Sequence, residues 1–299
     1  MKVRVGFGAG AATAADGGAR LAELVDGLEE RGFDSLWVSE RATAPMLEPM
    51  VALSFAAGRT EKLKLGTSVQ VLPGRNPVLL AKAWASLDRL SQGRSLPAFG
   101  LGVVDPAEQQ AFGVRREERA ARFDEALALM RRLWAEDVVD FHSRHFHYDG
   151  VSIGIRPEQD SIDVWLGGRS PGELRRVGRV SDGWLPSFCT PEQVTEGRVI
   201  VEKAAADAGR AIDTEHFGAL VAYARAAIPE GYARARAQRS GVDASAVVPV
   251  GLDALRTRLQ EFIAAGFSKL VVVPVEPVES WGCELDDLGS AVLDLQGVS

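Results

Sequence analysis

The sequence predicts an α/β protein folded as a single (β/α)8 barrel. Three observations carry that expectation. The 299 residues suit one barrel of roughly 250 residues with insertions. Short apolar runs alternate with amphipathic segments along the whole chain, as repeated β/α units require. One helix-to-strand joint occurs twice, as Gly32-Phe33-x-x-Leu36 near the start and as Gly266-Phe267-x-x-Leu270 near the end.

The first strand is Val3 to Phe7. The helix after it places Leu21, Leu24, Val25 and Leu28 on one face, and Gly32 ends it by taking a left-handed conformation cheaply. The second strand is Phe33 to Val38. Leu63 to Val71, Leu96 to Leu101, Asp163 to Leu166, Gly183 to Pro186 and Phe217 to Tyr223 follow as buried parallel strands, and Leu270 to Val273 is the eighth. Between them lie helices near Pro49–Arg59, Pro77–Leu90, Glu117–Ala135, Pro171–Val180, Pro191–Ala208, Leu252–Ala265 and Asp286–Leu295. Val138 to Tyr148 is expected to be a polar hairpin inserted after the fourth helix. Pro229 to Pro249 is an irregular insertion with room for an extra helix. No linker-like tract divides the chain, so one domain spans 1–299.

Composition narrows the function. The formal charge is −7 without a basic arm, which disfavours nucleic acid and anionic membranes as partners. Two cysteines, Cys189 and Cys283, cannot form a disulfide framework. With no signal peptide and no apolar run of the roughly 18 residues a membrane span needs, a cytoplasmic location is expected. His142, His145 and His147 cluster in the hairpin, but no Cys or carboxylate completes a tetrahedral set, so no metal is expected. Neither a G-x-S-x-G elbow nor a Walker motif occurs, against the common hydrolase and nucleoside-triphosphate chemistries.

In a barrel the loops after the strands form the active site. After the second strand come Ser39, Glu40 and Arg41, a fixed cation beside a carboxylate that can orient it or handle a proton; a rim salt bridge is the alternative. The third strand ends in Gly66-Thr67-Ser68-Val69, small and β-branched residues beside which a flat ring can approach the backbone. The fourth is followed by Gly100-Leu101-Gly102 and then Asp105. This is not a dinucleotide fingerprint. After the fifth comes Gly167-Gly168-Arg169-Ser170-Pro171-Gly172-Glu173. Ser170, Pro171 and Glu173 form a capping box with proline at its first helical position. The glycine pair ahead of a helix N-terminus exposes backbone N–H groups suited to a phosphate.

Gly66-Thr67-Ser68-Val69, Asn76-Pro77, Leu87 to Arg94, Gly100-Leu101-Gly102, Trp165-Leu166-Gly167-Gly168 and Ser181-Asp182-Gly183-Trp184, in this order, resemble the luciferase-like monooxygenase family. Val38 to Arg41 and the Gly-Thr-Ser-Val block look most like its branch that uses coenzyme F420, a deazaflavin. The resemblance implies a (β/α)8 barrel with insertions and a homodimer. It implies a non-proline cis peptide at Ser68–Val69 against the middle ring of the cofactor. Gly167, Gly168, Arg169 and Ser170 are then the phosphate loop, and Glu40 and Asp105 line the ring pocket, where Gly102 permits close backbone approach of the cofactor. Sugar-phosphate dehydrogenases of that branch carry Ser-Asp-His where this chain has Ser39-Glu40-Arg41. An arginine cannot act as a base at neutral pH, so Arg41 suits polarising a carbonyl or holding an anion, and a sugar phosphate is disfavoured as substrate. The expected function is an F420-dependent oxidoreductase acting on a small organic molecule. An FMN-dependent monooxygenase of the same fold and a non-enzymatic flavin carrier or sensor are the alternatives.

Overall fold

The computed structural model describes residues 1–10, 17–240 and 243–298. In chain order the elements are β1 (Lys2–Ala9), α1 (Gly17–Arg31), β2 (Ser35–Val38), α2 (Pro49–Ala57), β3 (Lys64–Thr67), β4 (Gln70–Val71) and α3 (Pro77–Leu90). Then come β5 (Ser95–Leu96), β6 (Ala98–Gly100), α4 (Pro106–Phe112), α5 (Arg119–Ala135), β7 (Val139–His142), β8 (His147–Val151), β9 (Trp165–Leu166), α6 (Pro171–Val180), β10 (Gly183–Trp184) and α7 (Pro191–Asp207). The chain ends with β11 (Gly218–Tyr223), α8 (Glu230–Ser240), α9 (Ala244–Val247), α10 (Leu252–Ala264), β12 (Lys269–Pro274), α11 (Trp281–Val292) and β13 (Gly297–Val298).

β1 pairs in parallel with β2 and β12, β2 with β3, β3 with β5, β4 with β6, β6 with β9, β9 with β10, and β11 with β12. Parallel bridges Trp184–Phe217 and Ser187–Leu220 connect β10 to β11. Each neighbouring pair in the ring is therefore joined, which is the expected (β/α)8 barrel. Two expected strands are split. The third breaks between β3 and β4 at a cis Ser68–Val69 peptide, and the fourth breaks at Pro97, which has no N–H to donate.

Side chains alternate with the period of two that strands impose. Val5, Phe7, Leu36, Phe99, Leu166, Trp184, Leu270 and Val272 point outward into the core shared with the helices. Trp37, Leu96, Ala98, Trp165, Leu185, Leu220 and Val271 fill the barrel, with Val69 and Val273 packed on them. The interior holds two large indoles, Trp37 and Trp165, edge to face at 6.2 Å. Glycine makes the room: a Cβ on Gly66 would lie 2.5 Å from Trp37, and one on Gly183 would lie 2.4 Å from Trp165. Overpacking of that kind costs about 1–3 kcal/mol.

The duplicated joint is structurally duplicated. Gly32 and Gly266 have φ of 77° and 85°. In both, the following phenylalanine N–H donates to the carbonyl five residues back, Phe33 to Leu28 and Phe267 to Phe262. The expected hairpin exists as β7 and β8, paired antiparallel. His145 is not on its exposed surface: its Nδ1 lies 2.9 Å from Glu125 of α5, and its side chain is 7% exposed. Three boundaries differ from expectation. The fourth loop carries an extra helix, α4. The last helix begins at Trp281, five residues earlier than Asp286, because Ser280 caps it by accepting from Cys283 N–H. The Pro229–Pro249 insertion holds two helices, α8 and α9.

Candidate active site

The residues singled out from the sequence gather at the C-terminal mouth of the barrel, where the loops after β2, β4, β6 and β9 meet. Val69 is the point of convergence. A Cβ on Gly100 would lie 2.5 Å from Val69 Cγ2, and one on Gly167 would lie 3.1 Å from Val69 Cγ1. Glycine at both positions lets three neighbouring strand ends close on one valine with their backbone uncovered. Ser68 beside it is held by Ser39, whose Oγ lies 3.1 Å from the Ser68 carbonyl oxygen and 3.2 Å from its Oγ. Gly102, with φ 79°, turns the next loop so that the Leu101, Gly102 and Val103 carbonyls all accept from Arg119 Nη1.

Glu40 is a buried carboxylate whose side chain is 5% exposed. It accepts from Val71 N–H at 2.6 Å and from the Arg75 guanidinium. Burial pushes its carboxyl above the usual carboxylate range, although Arg75 and the Val71 amide pull the other way. Arg41 is fixed rather than free. Its Nη2 lies 3.6 Å from Asp105 and its Nε 3.2 Å from Glu108. Asp105 caps α4, accepting from Ala107 and Glu108 N–H. Its carboxylate therefore serves a helix end and Arg41 together.

Glu108 escaped the sequence analysis. It is buried and reaches back to the loop after β2, accepting from Ala42 N–H at 3.1 Å, Thr43 N–H at 2.9 Å and Thr43 Oγ1 at 2.6 Å. Burial alone would raise its carboxyl. The Thr43 hydroxyl, the two amides and Arg41 outweigh burial and hold it below the usual range. The signal was present in Asp105-Pro106-Ala107-Glu108, which repeats the cap, proline, spacer and acid of Ser170 to Glu173. Phe188, after β10, also escaped. It sits at φ 58° with Arg236 of α8 stacked 3.3 Å from its ring centroid. A phenylalanine in that region leaves no sequence signal.

The glycine loop after β9 has the predicted capping box. One carboxylate oxygen of Glu173 accepts from both Arg169 N–H, at 3.1 Å, and Ser170 N–H, at 3.0 Å. Gly168, at φ 104°, and Gly172 have amides with no intrachain acceptor among the described residues. Arg169 reaches the Phe188 carbonyl at 3.4 Å. Two amides, a guanidinium and a helix N-terminus fit a phosphate, and the glycine-lined backbone at Val69 fits a flat ring. Among the described residues no group of three or more His, Cys, Asp or Glu could hold a metal ion. The Cys189 thiol is buried and pushed up by that burial, the opposite of an activated nucleophile. No helix among the described residues is long and apolar enough to cross a membrane.

Fold and mouth together define a parallel (β/α)8 barrel whose mouth is lined by glycines around Val69. The luciferase-like monooxygenase family model matches residues 3–266, and the chain belongs to that family. It is 32% identical over 195 residues to the F420-dependent glucose-6-phosphate dehydrogenase of Kineococcus radiotolerans, a match covering 61% of this chain and 56% of the relative. The chain spans less than two thirds of the length of the curated relatives it matches here. An F420-dependent secondary alcohol dehydrogenase structure, in complex with an F420–acetone adduct, has a TM-score of 0.81 at 19% identity, covering 99% of this chain and 100% of the other. The FMN complex of the oxygenating constituent of 3,6-diketocamphane monooxygenase from Pseudomonas putida has a TM-score of 0.76 at 17% identity, covering 97% and 96%. Both confirm the fold.

Proposed function

We propose that this protein is an oxidoreductase dependent on coenzyme F420, acting on a small organic alcohol or carbonyl compound. When bound, the deazaflavin supplies hydride chemistry, and the protein supplies position and charge. The observation that carries the proposal is the closure of Gly100 and Gly167 on Val69, beside a loop with phosphate-binding donors. Curated relatives named as F420-dependent dehydrogenases support it. Ser68, Val69 and Gly102 border the ring seat. Gly167, Gly168, Arg169 and Ser170 form the phosphate loop. Glu40 exchanges the proton that accompanies oxidation or reduction, since its raised carboxyl suits transfer closer to neutral pH. Arg41, held by Asp105 and Glu108, polarises the substrate oxygen.

With Arg41 and Arg75 each already facing two carboxylates, the loop after β2 offers no spare cation for a substrate phosphate among the described residues. A neutral substrate fits better. The whole chain acts as one barrel domain in the cytoplasm, without nucleic-acid or membrane partners. A homodimer is the proposed assembly, supported by Val51 and Phe55 of α2 and Leu79 of α3, which are exposed apolar side chains. The test is anaerobic: oxidised F420 is mixed with enzyme and a panel of short secondary alcohols, and its absorbance is followed. Bleaching with at least one alcohol is expected. No bleaching of F420, together with oxygenation of a trial substrate by reduced FMN in a separate aerobic assay, would move the protein to the FMN alternative.

A further inference from the structure

The glycine loop carries an anion of its own. Glu173 Oε2 receives the Arg169 and Ser170 amides at 3.1 and 3.0 Å, and the Ser170 hydroxyl receives the Glu173 amide at 3.4 Å. The side chain lies against the loop, since a Cβ on Gly168 would be 2.6 Å from Glu173 Cβ. Two donors that a phosphate could have used are thus committed to a carboxylate. The cations facing this region are Arg169, whose Nη1 reaches Phe188, and Arg119, which interacts electrostatically with Glu173.

We propose that Glu173 sets cofactor choice, favouring a singly charged phosphodiester over a doubly charged phosphomonoester. The inference rests on the proposal that this loop receives the cofactor's phosphate. The deazaflavin carries a phosphodiester with one negative charge. FMN carries a phosphomonoester whose second ionisation lies near pH 6, so it approaches two charges at neutral pH. Coulomb repulsion between a fixed carboxylate and a phosphate bound beside it is linear in that phosphate's charge. Glu173 therefore penalises FMN about twice as strongly, in free energy, as it penalises the deazaflavin. The carboxylate also removes two amides that would help to neutralise a second charge.

The test compares the protein with its Glu173→Gln variant, in which glutamine at the third helical position still completes a capping box. Dissociation constants for F420, FMN and riboflavin are measured by fluorescence titration at pH 7.5 and pH 5. If removing the charge tightens F420 about threefold, the same field tightens FMN about ninefold. The expected result is a shift of about threefold in the FMN-to-F420 affinity ratio at pH 7.5. That shift disappears at pH 5, where both phosphates carry one charge. Riboflavin, with the ring and no phosphate, keeps its affinity. An unchanged ratio at pH 7.5, a shift that persists at pH 5, or an equal change for riboflavin overturns the inference and leaves the cofactor site standing. Binding of neither phosphorylated cofactor by either protein overturns both.

Discussion

At the scale of single residues, burial decides which carboxylates do what. Glu40 and Glu108 both flank Arg41 in space or sequence, yet burial moves the first up while amide and hydroxyl donors move the second down. The proposed division of labour follows: Glu108, held below the usual range, stays ionised as a brace, and Glu40, raised by burial, exchanges the proton. Glu40→Gln is expected to lower kcat by about 10² or more, with F420 affinity changed by less than a few-fold. In the wild type, an acidic limb in the pH profile of kcat/KM should lie above the ordinary glutamate value of 4.5, and it should vanish in the variant. An unaltered profile would remove Glu40 from proton transfer. The positions of Glu40 and Arg41 at the barrel mouth were legible from the strand that precedes them. Their partners were not. Arg75 lies 35 residues from Glu40, and no local pattern links them.

At the scale of elements, helix starts were legible and strand breaks were not. The N-cap, proline and acid at Ser170 announced α6, and it forms the capping box; Thr190 and Gln193 make a second such box at the start of α7. The same signature begins at Asp105, where a pocket-lining residue and no helix is expected from the sequence. α4 was missed in consequence, and with it Glu108. The cost of losing Glu108 belongs to this scale, because it ties α4 to the loop after β2. Glu108→Gln should destabilise the protein by about 1–3 kcal/mol. The folded carboxyl titrates below its unfolded value, so its contribution is present at neutral pH. It is lost as the pH falls from about 4.5 through the folded value. Urea unfolding at pH 7 and pH 4 should show a gap between wild type and variant that narrows in acid; a constant gap would assign the bonds no ionic character. The breaks within the third and fourth strands fall at Ser68–Val69 and at Pro97; the resemblance implied the cis peptide at the first, while the expected strand Leu96 to Leu101 ran through the proline unbroken.

At the scale of the molecule, the duplicated glycine–phenylalanine joint and the alternation of short apolar runs with amphipathic segments made the barrel legible. What they could not reveal is its floor. There Lys269 is buried against Asp34 at 2.5 Å, and burial pulls its ammonium down to about 8 despite that partner. The folded value lies below the unfolded one, so the charged lysine costs stability below pH 8. That cost is relieved as the pH rises from about 8 towards 10.5. Wild type should therefore gain stability over that window relative to Lys269→Met, read by urea unfolding at pH 7.5 and pH 10; parallel behaviour would contradict the assignment. The central claim concerns the other end of the barrel, and direct titration of the purified protein with coenzyme F420, followed by fluorescence, tests it most simply. Saturable binding at a stoichiometry of about one per chain, weakened at least tenfold by crowding the Val69 seat with Gly100→Ala, is the predicted result. No saturable binding by the folded wild-type protein would contradict the account and leave only the barrel.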